Sequence, residues 1–137
     1  MWSSATDGPC RSSPRAVEHP TDYYGWMLQG EALYRALEPS HPLLARLPIE
    51  RPVGFETFPH AITWHLRGGH AAAARKRSQR RSLLALAGID LGPLTSIDRI
   101  DAALCALTAH HAASGEDCLS FGEPATGLIV VPKGPAA

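Results

Sequence analysis

The chain has 137 residues, enough to bury a hydrophobic core within one domain. Its 13 basic and 13 acidic residues cancel at pH 7, so no global electrostatic field draws the whole molecule to nucleic acid or to a membrane. Any such attraction must be local. The 45% hydrophobic content is typical of a soluble globular protein. The sequence shows no apolar stretch of the roughly 20 residues that a membrane span needs, and no secretory signal at its start.

The cysteines favour a reducing compartment. Cys10, Cys105 and Cys118 are odd in number and widely separated, and the sequence contains no Cys-x-x-Cys pair. This arrangement argues against a disulfide framework and against a zinc site. We therefore predict reduced thiols in a cytoplasmic protein.

The first part of the chain predicts a loosely ordered lead-in followed by a helix. Residues 1–20 are rich in Ser, Pro and Gly and have no steady hydrophobic period. Apolar residues then recur at spacings of three and four, which predicts a helix over residues 22–38. Thr21 or Asp22 can serve as its N-cap. We predict one folded domain over residues 21–133, with a disordered tail at 134–137.

A β-prone segment follows, and Glu56 stands near its end. Val53, Phe55 and Thr57 fall on one face of an extended chain, and Glu56 falls on the other. Pro59 cannot continue a central ladder but suits the first position of a helix. The pattern predicts a strand that ends at about Thr57, then a short helix to about Leu66.

The rest of the sequence predicts two longer helices and a final strand. After Gly68-Gly69, a helix is predicted over residues 71–87, closed by Gly88 in the left-handed conformation. Thr95 with Asp98 three residues later resembles a capping box that opens a helix to about Ala113. The apolar run at residues 127–132 predicts a short buried strand.

Two aspartates on the last helix could act together with Glu56. Ile97, Ile100, Leu104 and Leu107 form the predicted buried stripe, and Asp101 lies at its border. Asp98 lies one helical turn before Asp101, so both carboxylates could reach one point at the edge of a sheet. The oxygens of clustered carboxylates are hard ligands, and such ligands select Mg²⁺ or Mn²⁺.

Each acid also has a simpler explanation. Asp98 is suited to capping and to the helix dipole. Asp101 could pair with Arg99 or with a neighbouring helix, and Glu56 with an arginine from residues 75–81. The spacing alone leaves both explanations open.

A basic run offers a local site for phosphate. Five cations fall within seven residues, after the Gly68-Gly69 break; they are Arg75, Lys76, Arg77, Arg80 and Arg81. Such a run could bind nucleic acid by charge, although a solvated helix face is the simpler interpretation. The run lacks interleaved aromatic residues, so it predicts no platform for stacking bases.

Several segments, in order, resemble a family of predicted nucleases, the RNase H-like proteins catalogued as domain of unknown function 429. The matching segments are Phe55-Glu56-Thr57-Phe58-Pro59-His60, residues Arg80–Ile89, Asp98-x-x-Asp101-Ala and residues Gly127–Pro132. Residues 26–37 resemble the preceding helix, and Arg15-Ala-Val-Glu18 resembles an Arg-x-x-Glu motif. The similarity runs from about residue 15 to 133.

The resemblance implies a partial RNase H-like α/β fold with few strands flanked by three to four helices. It implies a metal-dependent nuclease in which Glu56, Asp98 and Asp101 join a first-strand Asp in binding Mg²⁺ or Mn²⁺. This chain shows no counterpart of that first-strand Asp, and Asp7-Gly-Pro9 is at best a remnant of a later strand. We therefore expect a truncated copy without the N-terminal β-hairpin, with little activity of its own. The alternative is a non-catalytic α/β association module. An exposed sheet edge predicts a homodimer, and no membrane partner is expected.

Overall fold

The computed structural model describes residues 22–135, and the side chains of residues 25–135. This part of the chain has a mixed α/β fold with four α-helices and a two-stranded antiparallel sheet, which confirms the predicted fold class. The helices are α1 (Asp22–Leu37), α2 (Pro59–Leu66), α3 (Lys76–Leu86) and α4 (Ile97–Ala113), and the strands are β1 (Cys118–Glu123) and β2 (Gly127–Pro132). No helix within residues 22–135 has the length and apolarity that a membrane crossing requires.

The chain divides into two compact units. The described part of the first unit contains residues 22–56 and 121–129, and that of the second contains residues 57–120 and 130–135. The predicted single domain over residues 21–133 and its RNase H-like character stay predictions. The lead-in at residues 1–20, Thr21, the side chain of Asp22 and the last two residues of the predicted tail lie outside what the structure describes, so the cap at Thr21 or Asp22 stays a prediction.

In the first unit, α1 ends within one residue of the predicted position. The amide of Glu38 donates to the carbonyl of Tyr34 and closes the last turn, and Pro39 follows directly. Met27 is buried, whereas large apolar side chains on the same helix are exposed. Trp26, Leu33 and Leu37 have exposed fractions of 65%, 59% and 41%. Their spacings of seven and four residues place them on one side of α1.

The predicted strand at residues 53–57 is wrong in its extent. The segment pairs at only two isolated parallel bridges, which join Leu43 to Gly54 and Glu56 to Ile129. Prolines explain why the pairing does not spread, because Pro42 and Pro52 beside the first bridge carry no backbone N–H for a ladder. Tyr34 anchors the segment, since its hydroxyl donates to the carbonyl of Phe55 at 2.9 Å.

In the second unit, proline and glycine mark helix ends, as the sequence predicted. Helix α2 starts at Pro59 and ends at Leu66, as predicted. The predicted helix at residues 71–87 begins later, as a 3-10 turn at Ala73–Arg75 that leads into α3. Gly88 closes α3 with φ +80°, and the amide of Ile89 donates back to the carbonyl of Leu84.

Helix α4 starts at a different cap from the predicted one. The N-cap is Ser96, whose hydroxyl accepts from the amide of Arg99 at 3.2 Å. The expected capping box of Thr95 with Asp98 is therefore wrong by one residue. The neighbouring Ser offers the same hydroxyl chemistry, so the sequence pattern does not separate the two. The C-terminal end at Ala113 agrees with the prediction.

The sequence did not predict β1, which pairs with β2 across a tight turn. Most of β1 is exposed, and it contains Gly122, so it lacks the apolar run that marks β2. The buried core of the second unit joins helices α2, α3 and α4 to β2. Its members are Ile62, Leu84, Ile100, Leu104 and Val131. The predicted stripe on α4 is confirmed, with Ile100 and Leu104 fully buried.

Candidate functional site

Glu56 belongs to the first unit, at the second of the two isolated bridges. Its amide donates to the carbonyl of Leu128 at 3.0 Å, and the residue is half-buried. Pro59 opens α2 three residues later. The backbone at Glu56 is therefore fixed by β2, which is the kind of support that a strand-end acid needs.

Asp101 forms an ion pair with a buried arginine from the neighbouring helix. The Nη1 atom of Arg80 donates to Oδ1 of Asp101 at 2.7 Å. The Arg80 side chain is only 8% exposed and that of Asp101 is 28% exposed. The buried Nε of Arg80 has no hydrogen-bond partner among the described residues. The carboxylate therefore balances a charge that packing has removed from water.

Asp98 lies in the first turn of α4 and is exposed. Because Ser96 caps the helix, Asp98 is not needed for that task. Its carboxylate contributes favourably to the helix dipole there. It lies one turn from Asp101, as the sequence predicted, so this helix presents two acids in succession.

The three predicted acids divide between the two units. Glu56 is in the first, and Asp98 and Asp101 are in the second. Within residues 22–135, no three His, Cys, Asp or Glu side chains come close enough together to hold a metal ion. The chemistry of the donors fits Mg²⁺ or Mn²⁺, since all three are carboxylates.

Cys105 lies one turn after Asp101, and its surroundings keep it protonated. Burial raises the pKa of the Cys105 thiol, the negative charge of Asp101 raises it further, and the positive charge of Arg80 opposes both effects. Burial likewise raises the pKa of Cys118, reinforced by Glu116 and Asp117. A thiol with a raised pKa is a weak nucleophile at neutral pH.

The basic run of the sequence divides into two groups in space. Arg75, Lys76 and Arg77 are exposed and Arg81 is half-buried, whereas Arg80 is buried against Asp101. Arg75, Arg77 and Arg81 line an open groove of about 580 Å³ along α3, together with two serines and three apolar residues. The groove thus combines guanidinium groups with hydroxyls, and Arg80 has no part in its lining.

Three arginines also converge on the loop just before α4. Arg77 donates to the carbonyl of Thr95, Arg81 to that of Leu94 and Arg99 to that of Pro93, at 3.1–3.2 Å. Each guanidinium carries five N–H donors, so these contacts hold the three groups in place and still leave N–H donors for a ligand. The loop leads directly into the turn of α4 that carries Asp98. Cations from two helices therefore surround the start of the helix with the two acids.

Arg99 was considered only as a partner of Asp101, and the positive charge extends beyond the predicted basic run. Between Glu56 and Asp90 the chain contains no Asp or Glu, but it contains six cations: Arg67, Arg75, Lys76, Arg77, Arg80 and Arg81. A charge count over a window of this length would have found the segment. The zero net charge of the whole chain concealed it.

Comparison with known proteins agrees with the family that the motifs indicated. A family model described as "Protein of unknown function (DUF429)" matches residues 4–126. The match starts earlier than the predicted similarity and ends just before β2. No curated protein and no solved structure matches the chain.

Proposed function

Because the chain belongs to the DUF429 family of proteins of unknown function, we propose that it binds nucleic acid and hydrolyses phosphodiester bonds with divalent metal on an RNase H-like fold. One observation carries the proposal. The arginine-lined groove of α3 adjoins the loop that opens α4, the helix that bears Asp98 and Asp101. Cations for a phosphate backbone thus accompany acids for a metal ion within one compact unit.

The groove supplies the attraction that the whole chain lacks. Phosphate binding by Lys and Arg releases counterions and needs no recognition of bases. Arg75, Lys76, Arg77 and Arg81 are the cations assigned to this role, and Arg99 joins them from α4. Arg80 was predicted to bind nucleic acid, but its buried pair with Asp101 favours a role inside the protein.

In this proposal Glu56, Asp98 and Asp101 provide the carboxylate oxygens for Mg²⁺ or Mn²⁺. When bound, such ions activate a water molecule and stabilise the departing oxygen of a phosphodiester. Arg80 holds Oδ1 of Asp101 and so orients the carboxylate, which would leave Oδ2 to contact a metal ion.

We assign this activity to the cytoplasm. Cys105 and Cys118 are both free thiols. Unpaired cysteines are the usual state in the reducing environment of that compartment.

Neutralising the groove should weaken nucleic-acid binding. For a variant with Arg75→Gln, Arg77→Gln and Arg81→Gln, we expect about a 30- to 100-fold loss of affinity for a labelled oligonucleotide at low salt. The slope of log affinity against log salt should also fall by about 2, since three phosphate contacts are lost. Fluorescence anisotropy in EDTA, at several NaCl concentrations, measures both quantities without cleavage.

The matched control removes three charges from the first unit, with Arg35→Gln, Arg46→Gln and Arg51→Gln. All three of these arginines are exposed. This control should keep most of the affinity and the slope. Equal losses in the two triple variants would mean that net charge, and not the groove, governs binding.

Replacing a proposed metal ligand should abolish hydrolysis. We expect only weak Mn²⁺-dependent cleavage of labelled nucleic acid by the unchanged chain, in keeping with its expected low activity, and at least about a 100-fold loss of that cleavage in Asp98→Asn and in Glu56→Gln. Asp98 is the preferred target because it is exposed and its loss leaves the core intact. The control is Asp117→Asn, another exposed acid of the second unit. Identical background in all four proteins contradicts the nuclease proposal.

One observation favours the alternative, an association module without catalysis. The exposed stripe of Trp26, Leu33 and Leu37 on α1 is apolar, and such faces mark interaction surfaces. The sheet edge is a separate surface from this stripe, and it is the one through which the predicted homodimer would form. Among the described residues β1 pairs only with β2, so the other edge of β1 is open to a second copy. An absence of hydrolysis together with association of copies would support this function.

A further inference from the structure

A second concavity of about 330 Å³ lies where α2 ends, on the second unit. It is lined by Trp64 and His65, by the Gly68-Gly69 turn, and by the segment of residues 133–135 that follows β2. The pocket thus combines an indole, an imidazole and the lysine Lys133, and it shares no residue with the arginine groove.

The indole of Trp64 is held in place and still open to solvent. Its ring packs edge to face against that of His65, with centroids 4.9 Å apart. The chain also folds back after α2, because the amide of Gly69 donates to the carbonyl of Trp64 at 2.8 Å. Gly69 has φ +100°, and a Cβ there would lie 3.6 Å from the indole. Trp64 as a residue nevertheless remains 44% exposed.

The segment of residues 133–135 is anchored to the same unit. The amide of Lys133 donates to the carbonyl of Asp117 at 3.0 Å, and the side chain of Lys133 is exposed. Gly134 packs directly against the carbonyl of His65, so closely that a side chain at this position would collide with it. The backbone contact therefore places a cation beside a fixed aromatic ring.

We infer that this pocket takes a nucleobase of single-stranded nucleic acid, stacked on Trp64, with Lys133 contacting an adjacent phosphate. Stacking on an aromatic face together with a nearby cation is how single strands are bound. Bases of a duplex are already stacked on each other, so the site excludes them. The acid-free segment of residues 57–89, which includes Trp64, favours a polyanionic ligand. This inference rests on the proposed function, whose substrate class it specifies as single-stranded.

The test compares the affinities of the protein for a 12-nucleotide oligothymidylate and for an abasic strand of equal length and charge. Both are measured by fluorescence anisotropy in EDTA. We expect the unchanged protein to bind the thymidylate about 10-fold more tightly. Trp64→Ala should remove that preference and keep the affinity for the abasic strand. Trp64→Phe should retain much of it, because a smaller ring still stacks. The control Trp26→Ala, at an exposed ring of the first unit, should change neither affinity.

Two outcomes overturn the inference. One is equal affinity of the unchanged protein for the two strands, and the other is an undiminished preference in Trp64→Ala. Neither depends on metal or cleavage, so a base preference without hydrolysis would contradict only the nuclease proposal. Binding that depends on the arginines but not on bases would contradict only the Trp64 pocket.

Discussion

Truncation of Leu104 to alanine is expected to lower the free energy of unfolding by about 3–4 kcal/mol. Leu104 is fully buried on α4, within the cluster that joins three helices to β2. The substitution loses the transfer free energy of the removed carbons and leaves a cavity, since Ile62 and Val131 around it belong to different elements and cannot all close in. Urea denaturation, monitored by circular dichroism, measures the change in the free energy of unfolding.

Leu86→Ala is the matched control, because it is the same substitution on a helix of the same unit. Leu86 is 86% exposed, so its truncation should cost less than about 0.5 kcal/mol. Comparable losses in the two variants would show that Leu104 does not belong to a tightly packed core. With a native stability of roughly 5–15 kcal/mol, the Leu104 variant alone would remove a large share.

The elements that the sequence predicted are those whose cause is local. Pro59 pre-sets the φ of the first turn of α2, and Gly88 supplies the left-handed residue that closes α3. The burial of Ile100 and Leu104 follows from helical periodicity alone. These signals need no knowledge of what packs against them.

The errors concern pairing between segments distant in sequence. The β-prone residues around Phe55 form only two bridges, because prolines on both sides of the first bridge, Pro42 and Pro52, interrupt the ladder. Strand β1 exists because β2 turns back onto it, although its own residues have a weak pattern. Strand formation depends on the neighbour, and a single segment does not contain that information.

The sequence identified the charged residues of the candidate site, but it did not show which of them are buried. The basic run was treated as one group of five cations, but Arg80 faces the interior. A signal for this was present in the sequence, since Leu84 lies four residues later on the same face of α3 and is fully buried. The pairing with Asp101 was one of the open alternatives, and it could be decided only by packing α3 against α4.

The second large effect is expected at Asp101. Asp101→Ala should lower the free energy of unfolding by about 3 kcal/mol, because the buried guanidinium of Arg80 then has no counter-charge. Asp101→Asn should cost about 1–2 kcal/mol, since the amide oxygen can still accept from Nη1 but carries no charge. The same urea experiment measures both variants. Asp98→Ala is the control, and at an exposed first-turn position we expect a cost of only about 0.5 kcal/mol.

This stability effect determines how the acids must be tested for catalysis. A loss of hydrolysis in Asp101→Asn has two sources, a missing metal ligand and a disturbed contact between α3 and α4, whereas a loss in Asp98→Asn has only the first. If Asp101→Ala proves as stable as the unchanged protein, the ion pair contributes nothing to the fold, and the orientation of Asp101 by Arg80 loses its support. A stability cost at Asp101 combined with a catalytic loss at Asp98 assigns the two neighbouring carboxylates distinct tasks on one helix.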